Sequence, residues 1–362
     1  MPTQEQLLAA LKTVTDPHTG QDFVATRALK NLVIEDGKVS FEVELGYPAR
    51  SAEAGLRDAL AAAARTVAGV QGVDVRVVTR IAAHAAQRGV SLLPTVRNVI
   101  AVASGKGGVG KSTTAVNLAL ALVAEGASVG LLDADIYGPS QPMMTGTSGK
   151  PETLDGKTME PKVNHGLQVN SIGFLVSDEQ AMVWRGPMVS QALEQLITQT
   201  NWKDLDYLIV DMPPGTGDIA LTLSQKVPLT GAVIVTTPQD IALIDAKKGI
   251  RMFEKVGVPI LGLVENMAVH VCSLCGHAEH VFGEEGGKKM AAELGIDYLG
   301  ALPLSMDIRV QADSGRPTVV AAPDSEAART YGAIARKVAV KVALKARDFS
   351  SKFPTITISK DT

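Results

Sequence analysis

The stretch Ser104-Gly105-Lys106-Gly107-Gly108-Val109-Gly110-Lys111-Ser112-Thr113-Thr114 satisfies the phosphate-loop pattern G-x-x-x-x-G-K-[ST] and lies in the setting that pattern requires. Ahead of it, Asn98 to Ala103 is a short apolar, β-branched run that predicts a buried strand. Behind it, Ala115, Leu118, Ala119, Leu122 and Val123 recur at helical spacing up to Gly126, a C-terminal stop. Strand, glycine loop and helix together aim backbone N–H groups and a helix N-terminus at a phosphate. Gly105, Gly107, Gly108 and Gly110 allow the positive φ angles and close approach that such a loop needs. Gly105 through Thr113, Val109 included, is therefore the expected nucleotide-binding segment. Lys111 would reach the β- and γ-phosphates, and the Ser112 hydroxyl would hold Mg²⁺.

The rest of the chain fits an α/β protein built around that loop. From residue 98 onward strands and helices alternate, the pattern of βαβ units on a mostly parallel sheet. Besides the first strand, the core candidates are Ser128 to Leu132, Leu167 to Phe174, Tyr207 to Asp211, Ala232 to Thr236, Ile260 to Val264 and Tyr298 to Leu302. Residues 1–81 predict a separate small α+β unit. It has a helix over Gln4 to Leu11, strands Leu29 to Ile34 and Lys38 to Leu45 around the turn Glu35-Asp36-Gly37, a helix over Ala49 to Val67 and a strand over Val73 to Ile81. Val39, Phe41, Val43 and Leu45 alternate with polar residues, so one face of that strand is wet. Residues 82–97, with Arg88-Gly89 and Leu93-Pro94, read as the linker into a nucleotide domain over 98–362.

Composition closes off other classes. A net charge of −3 gives no electrostatic case for nucleic acid as a partner. The N-terminus lacks the basic and apolar regions of a signal peptide, and no apolar run has the length of a membrane span. The two cysteines stand three residues apart and cannot form a disulfide framework, so a reduced, cytoplasmic protein is expected.

Two acidic segments end apolar strands, where ligands bind in open α/β sheets. Asp211 closes Leu208-Ile209-Val210 and fits a Walker B aspartate bound to Mg²⁺ through water. The Pro213-Pro214-Gly215-Thr216-Gly217-Asp218 stretch that follows can respond to a γ-phosphate as a switch does. The other segment is Asp133-Ala134-Asp135-Ile136-Tyr137-Gly138-Pro139-Ser140. A helix N-cap is the competing use of either aspartate. Cys272 and Cys275 form a C-x-x-C, a spacing that lets two thiolates converge on one metal and that also serves redox and zinc sites.

A second lysine inside the loop, Lys106, is not needed by an ordinary phosphate loop. The segment resembles the deviant Walker A motif KGGVGKST of the dimeric ParA/MinD-type ATPases. With Asp133 to Ser140, Asp211 to Asp218 and the Cys272/Cys275 pair, the chain resembles the Mrp/ApbC iron–sulfur carrier ATPases over essentially its whole length. That resemblance implies that Lys106 acts across a homodimer on the partner's nucleotide, that Asp135 orients the attacking water and that Asn266 contacts adenine. It also implies a 4Fe–4S cluster bridging two chains. Two cysteines cannot fill four ligand positions, whereas two such pairs on a dimer axis can. Scaffold and recipient apo-proteins would be the other partners, with no nucleic acid and no stable membrane association.

The small front unit resembles an iron–sulfur assembly domain that in many relatives carries a cysteine. Here Leu45-Gly46-Tyr47-Pro48-Ala49-Arg50 has none, which leaves a docking or regulatory role. Trp184-Arg185-Gly186-Pro187-Met188 matches another family stretch. The basic stretch over 328–347 fits a solvated helix face, although MinD-type proteins use a similar place for membrane contact. Cys272, Cys275, His277 and His280 also leave open a single-chain zinc site, with a spacing tighter than that of the usual zinc finger. A ParA/MinD-like positioning ATPase with a zinc-binding C-x-x-C is the alternative function. A plain P-loop kinase lacks both a use for Lys106 and an obvious lid insertion.

Overall fold

The computed structural model describes residues 2–84, 93–175 and 186–350. Arg88-Gly89 of the linker and Trp184-Arg185 lie outside the described residues. The chain divides into two units, one made of residues 1–82 with 339–362 and the other of 83–338.

In the first unit α1 (Gln4–Leu11) opens on a capping box, Thr3 Oγ1 accepting from Gln6 N and Gln6 Oε1 accepting from Thr3 N. Strands β1 (Leu29–Glu35) and β2 (Lys38–Leu45) form the hairpin, with Asp36 and Gly37 at positive φ as a two-residue turn requires. Helix α2 (Arg50–Arg65) then crosses over to β3 (Gly72–Thr79), which runs parallel to β2. Val39, Phe41, Val43 and Leu45 point inward, as their alternation predicts, and are buried, as are Leu7, Leu11, Leu60 and Val75.

The second unit is an eight-stranded sheet. Its strands are β4 (Val96–Ala103), β5 (Val129–Asp133), β6 (Lys162–Asn164), β7 (Leu167–Ser171), β8 (Leu205–Asp211), β9 (Gly231–Thr236), β10 (Ile260–Glu265) and, after the hairpin β11 (His270–Val271) and β12 (Ala278–Glu279), β13 (Tyr298–Ala301). Their order is β13-β10-β9-β4-β8-β5-β7-β6, all parallel except β6 against β7. The helices are α3 (Lys111–Ala124), α4 (Gln141–Thr145), α5 (Gly186–Thr198), α6 (Asp218–Lys226), α7 (Asp240–Lys255), α8 (Gly286–Leu294), α9 (Met306–Asp313), α10 (Thr318–Ala321) and α11 (Glu326–Ser350). The central strands β4, β8 and β9 are apolar almost throughout because both faces of a parallel sheet are covered.

Three readings of the sequence are corrected here. The apolar run Leu167 to Phe174 is not one strand: it ends at Ser171 and turns into a single 3₁₀ turn, because Ser171 Oγ accepts from Gly173 N at 2.9 Å and so ends the extended backbone. The last helix does not belong wholly to the nucleotide unit, since from Ala339 it groups with the first unit. There Val340, Ala343 and Leu344 line a pocket with Phe23, Leu45 and Tyr47. Lys341 and Lys345 of the basic stretch are half-buried, and burial lowers their pKa, so this is not a fully solvated face. Among the described residues no helix is long and apolar enough to cross a membrane.

Candidate functional site

β4 delivers the chain into the loop at Ser104, and α3 leaves it at Lys111. Gly108 and Gly110 have φ of 82° and 80°, the left-handed region open to glycine. Gly110 is also held to glycine by space, since a Cβ there would lie 2.1 Å from Asn266 Nδ2. That amide donates to Val109 O at 2.9 Å, so Asn266, one residue past β10, is fastened to the loop itself. Gly105 is pressed as closely against the backbone of α7, a Cβ falling 2.1 Å from the Asp245 carbonyl carbon. Lys106 is half-buried beside it, with its carbonyl held by Ser104 Oγ at 2.8 Å. Gly107 and Gly108 are exposed, and Ser112 and Thr113 are half-buried in the first turn of α3.

Neighbouring parallel strands bring the acidic residues to this helix. Asp133 on β5 and Asp211 on β8 are register partners, both fully buried. Lys111, itself buried, reaches Asp211, with Nζ 2.5 Å from Asp211 Oδ1, 3.2 Å from Ser112 Oγ and 3.8 Å from Asp135 Oδ2. One cation thus pairs with two carboxylates and acts on the third, Asp133, only through its charge. Burial, and then the charge of Asp211, pushes the Asp133 pKa up to about 7, against the backbone N–H groups of Gln141 and Asp135 that donate to it. Ser171 Oγ donates to the same carboxylate at 3.0 Å. Asp135 is raised too, by burial, with Lys111 opposing.

Gln141 belongs to none of the sequence motifs above. Its Nε2 donates to Asp211 Oδ2 at 2.8 Å and to Ser112 O at 3.0 Å, linking the segment after β5 to the loop helix and to β8. Nothing local marks it, because the partners lie 29 and 70 residues away in the chain. Beyond Asp211, Gly215 N donates to Ser104 O at 3.0 Å, so the Pro-Pro-Gly turn rests on the phosphate loop before α6 begins.

The cysteines occupy the tip of the β11–β12 hairpin. Cys272 N donates to His277 O and Gly276 N to Cys272 O, both at 2.9 Å, and Gly276 has φ of 71°. The backbone N–H groups of Cys275 and Leu274 turn toward the Cys272 sulfur and lower its pKa, with the Cys275 side chain adding to them. Cys272 is half-buried, Cys275 is exposed, and Leu274 between them is 95 % exposed. His280 is turned aside, Nδ1 donating to Ala268 O at 2.8 Å. Among the described residues no three His, Cys, Asp or Glu side chains are gathered as a metal-ligating group.

Comparison with known proteins decides the family. Residues 95–339 match the family described as NUBPL iron-transfer P-loop NTPase. The chain belongs to this family. Residues 4–77 match a second family, described as iron–sulfur cluster assembly protein. An iron–sulfur cluster carrier protein of Escherichia coli K12 is 50% identical over 90% of this chain and 89% of its own length. Its counterpart in Pseudomonas fragi is 60% identical over 74% of this chain and 94% of its own. The iron–sulfur cluster transfer protein NUBPL of mouse is 56% identical over 67% and 77%. Among solved structures, a nucleotide-binding protein of Archaeoglobus fulgidus in complex with ADP is 38% identical and aligns with a TM-score of 0.55 over 61% of this chain and 88% of its own. The cell division ATPase MinD of Pyrococcus furiosus, 23% identical with a TM-score of 0.52 over 67% and 98%, shares the fold.

Proposed function

We propose that this NUBPL-family NTPase binds and hydrolyses ATP and carries an iron–sulfur cluster, held between two copies of the chain, to apo-proteins. The observation that carries the reading is the knuckle: two thiols on one exposed hairpin tip and no third metal-ligating side chain gathered with them among the described residues. A 4Fe–4S cargo takes four thiolates, so two knuckles supply the set that one cannot. Val271, Leu274 and Val281 are exposed around the thiols, an apolar rim that a second copy would cover. The names of the relatives point to the same cargo.

In the nucleotide unit Gly105 through Thr113 would cradle the phosphates of ATP. Lys111 would exchange Asp211 for a phosphate oxygen, its ammonium being already at the junction of loop and strand. Mg²⁺, when bound, neutralises phosphate charge. The oxygen donors Ser112 and Asp211 suit that hard cation, the carboxylate standing next to a buried, unpartnered amide oxygen of Gln141. Asp135 would orient the attacking water and Lys106 would reach the partner's nucleotide. Asn266 would meet adenine, and it lies six residues before Cys272, so the same segment would join nucleotide to cargo.

The test is transfer. Protein loaded anaerobically with iron and sulfide, then mixed with the apo-form of a 4Fe–4S enzyme, should restore that enzyme's activity faster than free iron and sulfide do. Recovery no faster than the free ions would contradict carriage.

A further inference from the structure

Gln141 opens α4 with its side chain fully buried. Both acceptors of its Nε2, Asp211 Oδ2 and the Ser112 carbonyl, can only accept, so the neighbours dictate the orientation of the amide. Turning it over would set one oxygen against two others. In the dictated orientation Oε1 is buried with no hydrogen-bond partner. An orphaned acceptor of this kind costs stability that a leucine of similar size would not. The orphan belongs to the same planar amide that touches Asp211 and Ser112, the two residues proposed to hold Mg²⁺. The backbone N–H of Gln141 donates to Asp133 Oδ2 at 3.0 Å, so main chain and side chain are both fixed.

We propose that Gln141 is a positioning residue for the divalent cation of the nucleotide site. Nε2 sets the Asp211 carboxylate and the loop at Ser112, and Oε1 accepts a hydrogen bond from a water of the cation's coordination shell. Mg²⁺ keeps several waters when it binds through few carboxylates, and those waters need acceptors. The inference rests on the reading of Ser112 and Asp211 as the cation's ligands. It adds a residue that the phosphate-loop and aspartate motifs do not contain.

Mn²⁺ is the probe. Its binding to full-length protein with a non-hydrolysable ATP analogue is titrated by electron paramagnetic resonance for wild type, Gln141→Leu and Gln141→Met. Affinity of the same analogue in excess chelator is measured in parallel. Groups that orient metal ligands change metal affinity by about 10- to 100-fold, so the Mn²⁺ Kd should rise at least about tenfold. Analogue binding without metal should change less than about threefold on the same scale. Unchanged Mn²⁺ affinity in either folded variant overturns the proposal. So does an equal loss with and without metal, or loss of cooperative melting in both variants, since either makes the amide a support of the loop alone. Wild type that binds the analogue but no Mn²⁺ refutes the reading of Ser112 and Asp211, and the inference falls with it.

Discussion

Asp133 faces Asp211 across the β5–β8 ladder, and the ammonium of Lys111 sits closest to Asp211. A carboxyl whose pKa rises from 3.8 unfolded to about 7 folded binds more protons in the folded chain between those values. Stability of the nucleotide-free protein therefore falls as pH rises through that window, and the loss is complete above about pH 7. The slope approaches about 1.4 kcal/mol per pH unit where only the folded form is protonated. Asp133→Asn should lower stability most below about pH 5, because one of the N–H donors of Gln141 and Asp135 then meets an amide N–H₂ in place of a carboxyl oxygen, and least above about pH 7, where the wild-type carboxylate is itself buried and charged. The variant should also flatten the decline between pH 5 and 7, as read by denaturant melts at several pH values. An unchanged slope would show that Asp133 is ionised throughout.

At the scale of elements, the phosphate loop is a close fit between a left-handed glycine and a strand end. Gly110→Ala adds a methyl where φ is 80° and where Asn266 Nδ2 already stands. The backbone alone costs about 1–2 kcal/mol. Asn266 must also release Val109 O. In Gly110→Ala with Asn266→Ala the clash is gone and the backbone cost remains, so the double variant should be less destabilised than the sum of the singles. Strict additivity in a double-mutant cycle would contradict the contact. This fit explains what the sequence could show. The loop, its flanking strand and helix, and Asp211 at a strand end follow from local pattern. Gln141 does not, because its meaning comes from partners on other elements. Nor do β11 and β12, two residues each, which are too short for any periodicity to register. The run Leu167 to Phe174 looked continuous because apolar residues serve a strand and a turn alike. Only the Ser171 cap separates them.

The whole molecule pairs a nucleotide unit and a cysteine knuckle, each of which the proposed function completes with a second copy. If Lys106 acts on the partner's nucleotide, mixing Lys106→Ala with Asp135→Ala should restore part of the ATPase activity that each lacks alone. One site of the mixed dimer then has its own Asp135 and receives Lys106 from the other chain. No recovery at any ratio, with mixed dimers shown to form, would place Lys106 in its own site. The central claim is that two knuckles hold one cluster. Its most direct measurement is metal content per dimer after anaerobic reconstitution, beside Cys272→Ser and Cys275→Ser. The account predicts about four irons per dimer, a brown absorbance near about 400 nm, and loss of both in either variant. One zinc per chain, indifferent to iron supply and lost on substitution of His277 or His280, would contradict it.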